Sequence, residues 1–136
     1  MTPQEETLAD LWATSTYTTH PVAHLRPALA SRHVLTIAEA TAAPDDSTVA
    51  VAGLVIHRQR PSTARGVVFL GLEDETAMLN VICPPHVWDR HRRIATTAPA
   101  LLIHGRIEQA SGAVNLLATA LRPLRVAATV PSRDFR

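Results

Sequence analysis

Hydrophobic and polar positions alternate with a two-residue period over five stretches of this chain, the mark of half-buried strands. The first is Thr48–Gln59, with Gly53 in its middle. A glycine inside a strand marks a bulge or sharp bend, which a small barrel needs where one strand serves two sheet edges. Residues 67–72 and 78–83 form the second and third strands, joined by the acidic turn Glu73-Asp74-Glu75-Thr76. Residues 101–107 and 113–120 form the fourth and fifth, with 108–112 as their turn. Between the third and fourth, Pro84-Pro85 stops the strand and opens a helix over 86–97. Its Val87, Trp88, His91 and Ile94 are spaced to pack, while Asp89, Arg90, Arg92 and Arg93 face outward. The order β-β-β-α-β-β with a glycine-bent first strand predicts a mostly β fold, a five-stranded OB-fold barrel.

A short helical arm precedes the barrel. Leu8, Leu11 and Trp12 fall at helical spacing, with acids in the first turn where the helix dipole favours them. A second apolar helical face over 22–30 is interrupted by Pro27, and Thr36 with Glu39 makes a capping-box pattern for a third short helix. The breaker-rich stretch Ala43-Pro44-Asp45-Asp46-Ser47 ends the arm. The expected division is therefore an arm and linker over 1–47, a barrel over 48–121 and a tail over 122–136.

Alternation also assigns faces. Val68, Leu70 and Leu72, with Leu79, Val81 and Cys83, form the inward set; Val67, Phe69 and Gly71, with Met78, Asn80 and Ile82, lie outside. OB-folds bind oligonucleotides across strands 2 and 3, between the loops that join strands 1–2 and 4–5. Phe69 would thus sit in mid-groove as a stacking platform for a base, with Asn80 placed to hydrogen-bond a base edge and Ile82 beside it. Arg58, Arg60 and Arg65 flank the first loop and would track phosphates, and Arg106 near the end of strand four would add to them.

Composition narrows the class. At 136 residues, 46% hydrophobic and 18% charged, the chain is one globular domain's worth, and 4% aromatic content makes its core aliphatic. The net charge of +1 hides an asymmetry: residues 1–48 carry six acids against two arginines, residues 49–136 six acids against eleven. All 13 basic residues are Arg. GC-rich coding explains the missing Lys, and the planar guanidinium also suits phosphate and base stacking. One cysteine excludes an internal disulfide, and no secretory signal or membrane-length apolar run is present, so a reducing, cytoplasmic setting is expected.

Two constellations imitate chemistry. Glu73-Asp74-Glu75 has carboxylates, but neighbours at a strand end point in alternating directions, and a turn is the expectation. Cys83, His86, His91, His57 and His104 lack the paired-cysteine unit of a zinc site. No nucleophile elbow or phosphate-binding glycine loop occurs, so no catalytic residue, metal, cofactor or small-molecule substrate is expected.

The residues Arg58-Gln59-Arg60-Pro61, Thr63-Ala64, Gly66-Val67, Phe69, Leu72 to Thr76 and Asn80-Val81 together form a specific pattern. It resembles the C-terminal OB domain of bacterial error-prone DNA polymerases, translesion relatives of the replicative C-family alpha subunit. The likeness extends to Asp10-Leu11-Trp12-Ala13-Thr14, His20-Pro21, Leu25-Arg26-Pro27, Val51-Ala52-Gly53-Leu54-Val55 and Ser132-Arg133-Asp134-Phe135. The Arg-rich, Lys-free composition is similar to actinobacterial members. The sequence departs from the pattern at Ala77, where a turn glycine is usual, and at Gly71, where a polar residue is common. The resemblance implies a non-catalytic module that contacts single-stranded template DNA or holds other subunits of a translesion complex. The polymerase's catalytic domains lie outside these residues, so the chain is not expected to synthesise DNA. A more distant likeness over the first three strands is to the anticodon-binding OB domain of class II aminoacyl-tRNA synthetases, where residues at the positions of Phe69, Asn80 and Ile82 read unpaired bases. A protein–protein adaptor and an RNA-binding domain remain the alternatives.

Overall fold

The computed structural model describes residues 19–125, and the expected helix around Leu8 to Trp12 and the end of the tail lie outside them. Five strands, β1 (Thr48–Gln59), β2 (Val68–Glu73), β3 (Met78–Cys83), β4 (Ala100–Ala110) and β5 (Ala113–Pro123), close into a barrel in the order β1-β2-β3-β5-β4. All neighbours are antiparallel except β3 and β5, whose parallel pairing shuts the barrel. The expected OB barrel is the observed one.

Strand β1 serves two partners. Thr48 to Leu54 pair with β4, and Leu54 to Gln59 pair with β2. The changeover falls at Leu54, and a Cβ on the adjoining Gly53 would stand 2.6 Å from the Glu73 carbonyl oxygen. Only glycine lets β2 approach this closely, so the bend expected from the sequence has a steric cause. Beyond it, Val55 pairs with Leu72 but His57 pairs with Gly71, so Ile56 is an extra, bulged residue.

The inward set Val68, Leu70, Leu72, Leu79, Val81 and Cys83 is buried throughout. Val87, Trp88 and Ala95 pack into the same core. They come from two short helices, α3 (Pro85–Arg90) and α4 (Arg92–Thr97), where one helix over 86–97 was expected. The helix breaks at His91, which leaves helical geometry (φ −114°, ψ 20°) while its Nδ1 lies 2.9 Å from the Val87 carbonyl oxygen. The β4–β5 hairpin is also longer than expected. Glu108, Gln109 and Ala110 pair with Asn115, Val114 and Ala113, leaving Ser111 and Gly112, both at positive φ, as a two-residue turn. Their polarity resembles a loop's because this end of the hairpin stands in solvent.

Ahead of the barrel, a 3-10 turn over Pro21–Leu25 runs into the first two helices, α1 (Arg26–Ser31) and α2 (Ile37–Thr41). Pro27 does not interrupt the first of these; it sits in the opening turn, where its missing N–H is not needed. Thr36 and Glu39 form the expected capping box ahead of α2. Val22, Leu29 and Val34 seal Ala50 and Ala52 on the outer side of β1 in a second apolar cluster, and Ile37 and Ala40 join the barrel core. Val22, Leu29, Val34, Ile37 and Ala40 thus tie the described part of the arm to the barrel.

Candidate nucleic-acid interface

Sheet register builds the outer face row by row. One row across five strands reads Gln59, Phe69, Ile82, Leu117 and Arg106. The next, two residues along, reads His57, Gly71, Asn80, Asn115 and Glu108. Phe69, Ile82 and Leu117 are half-buried, forming an apolar stripe, and Asn80 is exposed beside it. The loop over 60–67 borders one end of these rows and the Ser111-Gly112 turn the other. Among the described residues, those of the arm pack on the Ala50 and Ala52 side of β1 and not on this stripe.

The arginines separate into two groups. The Ile56 bulge shifts the alternation of β1 by one, so His57 and Gln59 share the outer face, and Arg58 and Arg60 turn toward the helices. Arg58 donates from Nε to the Ala95 carbonyl (2.8 Å) and from Nη2 to the Ala98 carbonyl (2.6 Å), at the end of α4. Burial pulls its pKa below the ordinary arginine value. A cation on the last carbonyls of a helix is favourable to the helix dipole and satisfies acceptors that the helix leaves open. The Arg60 guanidinium carbon lies 5.9 Å from the centre of the Trp88 ring, a cation–π contact. Arg65 is exposed in the first loop, in left-handed conformation (φ 54°). Arg106 shares the Phe69 row and pairs with Asp46 at 2.6 Å, both side chains at least half exposed. Such a pair contributes about 0–1 kcal/mol, so a phosphate can displace the carboxylate at little cost.

The acidic turn holds the arm. Asp74, 3% exposed, accepts at Oδ1 from the Thr76 amide (2.7 Å), the Thr76 hydroxyl (2.7 Å) and the Ala77 amide (3.1 Å). At Oδ2 it accepts from the Ile37 amide (2.8 Å) and Arg26 Nη2 (3.2 Å). Arg26 also forks onto Glu75 at 2.7 and 2.8 Å, and His20 Nε2 stands 3.1 Å from Glu73. The hydrogen bond with Arg26 holds the Glu75 carboxyl below the ordinary range and raises Arg26 in return. The turn closes without positive φ at Ala77, so alanine in place of glycine costs no strain there. Cys83 is sealed in the core, where burial pushes its thiol up to about 11. Among the described residues no three His, Cys, Asp or Glu side chains cluster as metal ligands, and no helix is long and apolar enough to cross a membrane.

A closed five-stranded barrel with a glycine-bent first strand, helices between β3 and β4, and an open β2–β3 face defines an OB-fold module. Solved structures agree on the fold. Asparaginyl-tRNA synthetase from Pyrococcus horikoshii matches 72% of this chain and 24% of its own, with a TM-score of 0.57 and 16% identity. An OBody bound to hen egg-white lysozyme matches 74% of this chain and 96% of its own, with a TM-score of 0.56 and 20% identity. No protein-family model matches the chain. Among curated proteins, the error-prone DNA polymerase of Mycolicibacterium paratuberculosis is 47% identical over 137 aligned residues, all of this chain and 12% of the polymerase. That of Anaeromyxobacter dehalogenans is 45% identical over 117 residues, 86% of this chain and 10% of the polymerase. The chain is thus homologous, over its whole length, to one segment of the error-prone DNA polymerases.

Sequence reasoning brought Phe69, Asn80, Ile82 and Arg106 to one face and Arg65 to its bordering loop. It did not bring His57, Gln59, Asn115 and Leu117 to that face, where the register places them. The signal for His57 was Gly71, since a glycine in a strand marks close approach by another group.

Proposed function

We propose that this module holds single-stranded DNA, without catalysing a reaction itself, in the groove across β2 and β3. In an error-prone polymerase that strand is the template, and nucleotide polymerisation resides elsewhere in the protein. The observation that carries the reading is the half-buried ring of Phe69, set in a stripe with Ile82 and Leu117 and in one row with Arg106. An unpaired base gains apolar contact and stacking there, worth roughly 1–3 kcal/mol, while Arg65 and Arg106 meet the backbone phosphates. Asn80 offers amide donors and an acceptor to a base edge. Arg58 and Arg60, committed to carbonyls and to Trp88, shape the loop that carries Arg65.

Titration of a labelled single-stranded oligonucleotide at two salt concentrations tests the reading. Two phosphate contacts give a slope of log affinity against log salt of roughly −1.4. A flat response, or no binding at low salt, overturns it. A second reading, a docking surface for other translesion subunits, draws on the exposed apolar residues Met78 (57%) and Ile56 (42%). It calls for capture of a partner that survives high salt and is lost on Met78→Glu.

A further inference from the structure

Gly71 faces outward on β2, yet it is buried. Its cover is the imidazole of His57, the cross-strand partner of Gly71 on β1. A Cβ at position 71 would collide with Nε2 of that ring and lie 2.6 Å from Cδ2 and 2.9 Å from Cε1. The missing side chain is therefore the seat of the imidazole, which rests over the β2 backbone while His57 as a whole stays exposed. In the same row stand Asn80, which is exposed, and Asn115, which is half-buried. Phe69 lies two residues back along β2, a rise of about 7 Å.

The geometry points to His57 as a second base platform, one nucleotide along from Phe69, with Asn80 and Asn115 placed to hydrogen-bond the edge of the base that it carries. This rests on the groove reading given above and extends it to a step of two successive unpaired nucleotides. The Ile56 bulge and Gly71 act together: the bulge turns His57 to the outer face, and the glycine lets its ring lie down. A solvated surface histidine needs neither. Gly71→Ala is an informative substitution, because the atoms it displaces are the far end of a mobile side chain and not backbone. It lifts the ring and leaves the barrel standing.

Binding of the full 136-residue chain to a short labelled oligothymidylate, and to an abasic oligomer of equal length, supplies the test. His57→Ala and Gly71→Ala are each expected to raise Kd for oligothymidylate by roughly five- to ten-fold, the low end of base–aromatic stacking. The double variant should bind no worse than either single one, and all should bind the abasic oligomer as the parent does. Melting temperatures within a few degrees of the parent's exclude unfolding as the cause. Parent-like binding by both single variants, with Phe69→Ala impaired, overturns the second platform and leaves the groove reading intact. Equal losses on the abasic oligomer also overturn it, since the imidazole then serves the phosphates. Failure of the parent chain to bind oligothymidylate removes the groove and the platform together.

Discussion

On the β1–β4 side of the barrel, Ala50 and Ala52 point outward and lie sealed under Val22, Leu29 and Val34. On the β2–β3 side, Phe69, Asn80 and Ile82 point outward and remain open or half-open. Both surfaces arise from the same two-residue alternation, and they differ in what the outward positions hold. Small residues admit a packed arm, so apolar area there is removed from water within the chain. A large ring flanked by an amide and branched aliphatics leaves apolar area half-exposed beside polar groups, the character of a binding groove. Cover, more than alternation, separates the structural face from the one proposed to bind.

The covered side should dominate stability. Asp74→Ala strands the Ile37, Thr76 and Ala77 amides and removes one partner of Arg26. A loss of about 3–5 kcal/mol in unfolding free energy is expected from denaturant titration. Leu29→Ala opens a cavity beneath the arm and should cost about 2–4 kcal/mol by the same measurement, with oligonucleotide affinity unchanged. Arg58→Ala sharpens the line between the two sides. It should cost about 1 kcal/mol of stability through the lost carbonyl contacts, with no change in the salt dependence of binding. A reduced salt slope would return Arg58 to the phosphates.

The smallest effect concerns pH. Glu75 is held ionised by Arg26 in the folded chain, so its folded pKa lies below its unfolded one. Its contribution is therefore complete above the ordinary carboxylate pKa of about 4.3 and fades as pH falls through the folded value. Thermal unfolding from pH 6 down to about pH 3 should show a loss that Glu75→Gln lacks. Identical pH profiles for the two would detach the arm from this ion pair.

Much of this was legible in the sequence. Strands β2 and β3 each carry an unbroken alternation, and every inward residue assigned from it is buried. Gly53 marked the bend, and Thr36 with Glu39 the cap, because both effects are local. The Ile56 bulge was not legible: Leu54, Val55 and Ile56 are all apolar, so the alternation loses its phase where β1 changes face. From that single hidden residue come the diversion of Arg58 and Arg60 and the omission of His57. Nor did the sequence show what the acidic turn holds, because Arg26 and Ile37 reach Asp74 from 48 and 37 residues away.

On the proposed function, the Phe69 ring works for a ligand more than for the fold. The direct measurement is Phe69→Ala, with unfolding free energy and oligonucleotide Kd taken on the same preparation. The expected result is a rise in Kd of roughly 5- to 150-fold with stability changed by no more than about 1 kcal/mol. Unchanged affinity beside a large loss of stability would contradict this and return the ring to the core.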